Sequence, residues 1–263
     1  MIRSLKTRMV AGAAAVVLAA AGFSISQGRS NPDPDLKLVL NIPASRLDVF
    51  EHGKHTHSYD VSAGKREFAT PAGKYNVREI IWNPWWRPPA SAWARNEKAT
   101  PPGPYNPMGR IKINFANLLY IHGTQWEDHL GAPASHGCIR MGDADLIELA
   151  ELIHRYRTPR VKPELLATLK ENRTMTRSFP VRPVPFDVVY RLVEVVDNRL
   201  VIHPDVYRNA GTDLRKEILS ALKRSGHEVT GPIEKRLGQL AKPRKVTRIS
   251  VPLDSLLAAT AGD

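Results

Sequence analysis

The apolar positions of this chain fall into two spacings, and the change between them divides it. Leu36 to Ile42 alternates in part between apolar and polar residues, which predicts a half-buried strand. Arg46 to Phe50 and His55 to Val61 flank a turn at His52-Gly53 and predict a hairpin. Turn chemistry at Ser62-Ala63-Gly64 and Thr70-Pro71-Ala72-Gly73 is followed by strand character from Lys74 to Ile81. Ile111 to Phe115 and Leu118 to Ile121 are two further strands meeting at Ala116-Asn117. After Asp143, read as a helix N-cap, Leu146, Leu149, Ala150 and Ile153 recur at helical spacing, so Ala144 to about Arg155 is an amphipathic helix. Pro163 to Lys170 is a shorter helix, and Pro180, Pro183 and Pro185 mark a linker or an extended edge. Asp187 to Val196 and Leu200 to His203 read as two strands. Thr212 caps a helix from Asp213 to Ser225 that Gly226 ends, and Val246 to Val251 is a last strand. These segments predict a β-rich domain with helices late in the chain and a mixed α/β C-terminal extension.

The first residues follow another pattern. Arg3, Lys6 and Arg8 precede the uncharged run Met9 to Phe23, which is short for a membrane span. Residues 1–26 are therefore expected to be a cleaved signal peptide, with an uncleaved anchor as the alternative, and residues 27–35 a polar linker. Either way the body of the protein is exported, to the periplasm or cell envelope. The formal charge is +12, and +9 without Arg3, Lys6 and Arg8, which suits an anionic polymer or a membrane surface, while its spread along the chain equally suits an ordinary soluble surface. Nucleic acid is not an expected partner in that compartment.

Export also changes the meaning of the single cysteine, Cys138. A thiol kept in an oxidising compartment, with no partner for an internal disulfide, is a liability unless it is used. It lies in Ala134-Ser135-His136-Gly137-Cys138-Ile139-Arg140-Met141, and the apolar run Leu118 to Ile121 delivers His122-Gly123-Thr124 to a strand end upstream. A neighbouring imidazole is the usual means of making a thiolate near neutral pH. Gly137 allows close backbone approach, and the amides around Gly137 and Cys138 are candidate oxyanion donors. Sequence proximity alone favours His136 as the base.

His122-Gly123-Thr124, a spacer, then Ser135-His136-Gly137-Cys138-Ile139-Arg140-Met141 resembles the signature of the L,D-transpeptidase catalytic domain, a family that remodels bacterial peptidoglycan. Ala69 to Tyr75 and Asn106-Pro107-Met108-Gly109 are similar to further family features. The resemblance covers residues 36–161, and extends more weakly to about 209 through a tail hairpin ending at His203-Pro204. It implies a mainly β sandwich or barrel with a helix after the nucleophile loop. It also implies a thioester between Cys138 and a tetrapeptide stem at the L-centre of a diamino acid, with D-alanine leaving and an amine accepting the acyl group. The acceptor is a second stem, a lipoprotein or other wall-attached protein, or a free D-amino acid. If water replaces it the enzyme is a carboxypeptidase or hydrolase, and a non-catalytic wall-binding module is the third reading. By the same resemblance His122 is the base, the Gly123 carbonyl orients it, His136 is a supporting partner or an alternative base, Ser135 braces the loop, and carbapenems acylate the thiol better than penicillins. Thr158-Pro159-Arg160-Val161 resembles a family ending in which Arg157 replaces a glycine.

Around this core, Arg140 either holds a substrate carboxylate or pairs with a local aspartate. Trp82, Trp85, Trp86 and Trp93 stand in a proline-stiffened stretch, either a groove wall with Trp85, Trp86 and Asn106 as substrate contacts or satellite packing. His52, His55 and His57 lack the carboxylates or cysteines of a metal site and read as a solvated hairpin. No metal or organic cofactor is expected. Residues 162–263 are read as the extension, with no function legible beyond 212.

Overall fold

A computed structural model describes residues 35–208, 213–227 and 248–257. The signal-peptide and Thr212 readings lie outside these residues. Strands β1 (Leu36–Asn41), β2 (Arg46–Glu51) and β3 (Lys54–Ser62) form a meander, with His52 and Gly53 at positive φ in the predicted hairpin turn. The stretch expected as one strand from Lys74 breaks into β4 (Gly73–Val77) and β5 (Glu79–Trp82), which take different partners. Then come β6 (Ile111–Ala116), β7 (Leu119–Thr124), β8 (Ile139–Gly142), α1 (Asp143–Arg157) and α2 (Pro163–Glu171). The sheet does not stop at 161, where the sequence reading ended the catalytic domain. β9 (Thr176–Ser178) pairs with β5, and β10 (Val184–Val189) is inserted between β4 and β1.

The result is one ten-stranded sheet in the order β4-β10-β1-β2-β3-β8-β7-β6-β5-β9. It curls, so that Phe115 of β6 meets Tyr75 of β4 at 5.3 Å and Phe186 of β10 at 5.1 Å, edge to face. Alternation explains the core. Leu36, Leu38 and Leu40, then Ile111 and Ile113, are fully buried, with Ile121, Ile139 and the α1 stripe Leu146, Leu149, Ala150 and Ile153 behind them. Trp82 is part of this core rather than of the aromatic loop, and its indole N–H donates to His154 Nε2 at 3.1 Å. Pro185 lies in a strand with neighbours on both sides rather than at an edge. It stands at the start of β10, where the pairing to β1 has not yet begun.

The segment from Asp187 likewise splits. β11 (Val193–Val196), β12 (Arg199–Ile202) and β13 (Ile249–Pro252) make a separate three-stranded sheet, packed against α3 (Leu214–Arg224) and the short α4 (Leu253–Leu257). Asp213 is the side-chain cap of α3, accepting from the Arg215 and Lys216 amides. Arg46 ties this module to the meander through Glu194 at 3.1 Å. Asp143, expected as a cap, is instead the first residue of α1, and Gly142 occupies the cap position. Arg157, where the family ending has glycine, closes α1 with its buried guanidinium against Asp35.

Candidate active site

The candidate residues come from two adjacent parallel strands. In the β7/β8 register Ile121 faces Ile139 and His122 faces Arg140, while in β6/β7 Lys112 faces His122. Since Ile121 and Ile139 point into the core, the alternate residues Tyr120, His122, Cys138 and Arg140 share the opposite face. They open on a cleft of about 810 Å³ whose other wall is the loop carrying Trp85, Trp86 and Trp93. The sequence reading missed Lys112, although Ile111, Ile113 and Phe115 alternating inward on β6 put it on the cleft face.

His122 is 4 % exposed, and its Nδ1 lies 2.7 Å from the Gly123 carbonyl. A carbonyl only accepts, so Nδ1 carries the hydrogen and Nε2 keeps its lone pair. Burial holds the imidazole pKa down at about 4, and the nearby Arg140 and Lys112 charges push the same way, against the Gly123 hydrogen bond. His122 is thus neutral across the physiological range. Gly123 is required by packing, because a Cβ there would lie 1.8 Å from Asp143 Oδ1 and 2.9 Å from the Gly109 Cα. The Asp143 carboxylate accepts the Arg110 amide at 3.1 Å behind that glycine.

Hydrogen bonds of Ser135 hold the loop that carries Cys138. Ser135 Oγ accepts the Gly137 N–H at 3.1 Å and donates to the Cys138 carbonyl. That bond takes up the Gly137 amide, which the sequence reading had offered as an oxyanion donor. Gly137 has φ +109, a conformation that favours glycine. Cys138 Sγ lies 3.6 Å from the Leu118 carbonyl. Burial pushes the Cys138 thiol up, outweighing the Tyr120 amide and the Arg140 and Lys112 charges. At rest Cys138 is therefore a neutral thiol, and His122 a neutral imidazole on the same face of the sheet.

His136, the base suggested by proximity, is exposed and occupied elsewhere. Its ring stacks on Trp93 at 4.1 Å and 9° and meets Phe68 edge-on at 4.7 Å, linking the nucleophile loop to the tryptophan loop. Arg140 stacks over Trp126 at 5.6 Å and Lys112 over Tyr120 at 4.8 Å. Among the described residues neither cation has a carboxylate in ion-pair range, so the aspartate pairing considered for Arg140 is not formed. Trp85 and Trp86 do line the cleft. Asn106 does not. It is fully buried, its amide donating to the Pro84, Thr100 and Pro101 carbonyls and its oxygen accepting the Met108 N–H. It staples the loop and has no group left for a substrate. His55 hydrogen-bonds Ser58 at 3.0 Å, and among the described residues no three metal-ligating side chains converge.

Comparison with known proteins places the chain in a family. A family model for the L,D-transpeptidase catalytic domain covers residues 35–181. The chain is 30 % identical over 130 residues to a putative L,D-transpeptidase, YqjB, of Bacillus subtilis, covering 47 % of this chain and 69 % of that protein. It is 35 % identical over 125 residues to a probable L,D-transpeptidase, YbiS, of Escherichia coli, covering 44 % of this chain and 41 % of that one. The chain thus spans less than half the length of this E. coli relative. A solved catalytic domain of the Enterococcus faecium L,D-transpeptidase is 16 % identical with a TM-score of 0.39, covering 59 % of this chain and 97 % of that one. With more than half of its length matched by the family model, the chain belongs to the L,D-transpeptidase catalytic-domain family.

Proposed function

We propose that the protein is a peptidoglycan L,D-transpeptidase in which Cys138 is the nucleophile and His122 the base. The observation that carries this reading is the His122 Nδ1–Gly123 carbonyl bond of 2.7 Å, which leaves Nε2 unprotonated on the cysteine's face of the sheet. In the acylation step Sγ attacks the carbonyl at the L-centre of the diamino acid, and His122 Nε2 takes the thiol proton. The C–N bond to D-alanine then breaks and the proton passes to the leaving amine. An amine acceptor attacks the resulting thioester and returns the thiol. The Gly123 carbonyl holds the ring in one tautomer, the role an acidic partner has in a triad. Arg140 and Lys112 line the cleft, and among the described residues neither has a carboxylate within ion-pair range, although Glu79 also lines it; the two cations favour a donor that carries carboxylates.

The test is to incubate purified protein with defined tetrapeptide muropeptides and identify the products by mass spectrometry. Cross-linked or D-amino-acid-exchanged stems are expected. A tripeptide product alone would replace transpeptidation with carboxypeptidase activity, and no product at all would remove both. Because the charged start and apolar run direct the body outside the cytoplasm, a fusion of residues 1–35 to a reporter active only after export is expected to give signal. A silent reporter would remove the cell-wall setting.

A further inference from the structure

A closed set of hydrogen bonds joins the extension to the nucleophile loop. Tyr207, 9 % exposed, lies beyond the residues the family model matches. Its hydroxyl donates to the Gly64 carbonyl at 2.8 Å and accepts the Thr70 N–H at 3.0 Å. Thr70 Oγ1 accepts the Gly64 N–H at 2.8 Å and donates to the Gly137 carbonyl at 2.9 Å. All four groups are buried, so each bond is made where water cannot replace it. Gly64 cannot loosen the ring by carrying a side chain, since a Cβ there would sit 2.0 Å from the Phe68 carbonyl oxygen and 2.9 Å from the Gly137 Cα. Tyr207 is itself held, its amide donating to Tyr190 Oη at 2.8 Å, while that hydroxyl donates to Asp205 at 2.5 Å.

The consequence lies in one peptide unit. A trans peptide is flat, with C=O and N–H pointing in opposite directions. Fixing the Gly137 carbonyl onto Thr70 therefore fixes the Cys138 N–H away from Thr70. The Gly137 amide is already used by Ser135, so the Cys138 amide is the donor this loop still has for an oxyanion. We infer that Tyr207 is a positioning residue for acyl transfer, acting through Thr70 and the Gly137 carbonyl to aim the Cys138 N–H at the developing oxyanion. This rests on the acyl-transfer reading above, and it gives the segment after the catalytic sheet a part in the chemistry.

The experiment compares two reactions of Cys138 in the full chain, both followed by intact mass. A carbapenem acylates through an oxyanion: the Sγ–C bond forms, the lactam C–N bond breaks, and the thiol proton ends on the ring nitrogen. Iodoacetamide alkylates the same sulfur by displacing iodide, with no oxyanion. Tyr207→Phe is expected to slow acylation by about 10- to 100-fold, less than the roughly 100- to 1,000-fold cost of losing an oxyanion donor outright because the Cys138 amide is misaimed rather than removed, while alkylation stays within about twofold. Thr70→Val is expected to match it, Thr70→Ser to remain near native, and the double variant Tyr207→Phe/Thr70→Val to lose no more than the worse single. Should Tyr207→Phe fail to fold, Tyr190→Phe, which frees the Tyr207 amide, must show the same selective loss in smaller measure. Equal slowing of both reactions, or native acylation in Tyr207→Phe, overturns the inference. If native protein alkylates but is acylated by neither the carbapenem nor a tetrapeptide stem, the acyl-transfer reading itself falls and takes this one with it.

Discussion

At the level of single residues, the division of labour between the two histidines is set by what each ring touches. His122 is buried, tautomerically fixed and flanked by Lys112 and Arg140, whereas His136 is exposed and packed between Trp93 and Phe68. His122→Ala should therefore abolish acylation as completely as Cys138→Ala, by at least about 1,000-fold, since a nucleophile and its base act as a unit. His136→Ala should keep acylation within about tenfold of native. Intact-mass kinetics decide the matter, and the reverse order would return the base to His136. The same neutral pair sets the pH dependence. If His122 is the base, a pKa of about 4 keeps it in its neutral form well below the ordinary histidine range, so the acid limb of kcat/KM should fall near pH 4 rather than near 6.5. Lys112 lines the same cleft. Lys112→Gln is expected to raise KM for a tetrapeptide stem several-fold with little change in alkylation by iodoacetamide. An unchanged KM would leave Lys112 no part in binding.

At the scale of elements, the reading from sequence succeeded where chemistry and periodicity coincide. The Cys138 and His122 motifs, the hairpin at His52-Gly53 and the α1 stripe were all legible, because each is local. What was not legible depended on distant partners. Nothing local to Asn106 says that three carbonyls from residues 84, 100 and 101 would consume its amide. The run from Asp187 reads as one strand, yet its first part completes the main sheet and its last part opens a second one, with the break at Tyr190 to Leu192. The raised thiol pKa was equally out of reach, since the desolvation of Cys138 comes from surroundings the motif does not contain. One element invites a direct test. Trp93 ties the tryptophan loop to the Cys138 loop through its stack on His136. Trp93→Ala should raise KM for stem peptides about 3- to 10-fold and leave kcat for bound substrate nearly intact. A loss in kcat alone would mean that the stack positions the nucleophile loop rather than the cleft wall.

For the molecule as a whole, stability and activity should respond to acid in different ways. His154 sits in the core between α1 and β5, accepting the Trp82 indole N–H and bonded through Nδ1 to Thr158 at 2.6 Å. Its burial lowers its pKa to about 4, as for His122. Glu194, which joins the three-stranded module to Arg46 and His203, is buried as well. Burial alone would raise its pKa, but the bonds and charges of His203 and Arg46 overcome this and lower it to about 2. The signs run the same way for all three. Each binds its proton more readily in the unfolded chain, so each contributes stability that is present above its unfolded pKa and lost as pH falls toward its folded one. For the two histidines that window runs from about 6.5 down to 4, and for Glu194 from about 4.5 down to 2. A shift of two to three units corresponds to roughly 3 kcal/mol per group, a large share of the roughly 5–15 kcal/mol a folded chain has. Urea midpoints should therefore hold steady from pH 8 to 7, fall below pH 6.5, and continue falling below pH 4.5. His154→Gln should be less stable at neutral pH but show a shallower loss between 6.5 and 4. Glu194→Gln should leave that upper limb unchanged and flatten the lower one. A native protein whose urea midpoint is the same at pH 7 and pH 4 would mean that neither buried histidine carries its neutral form into the fold.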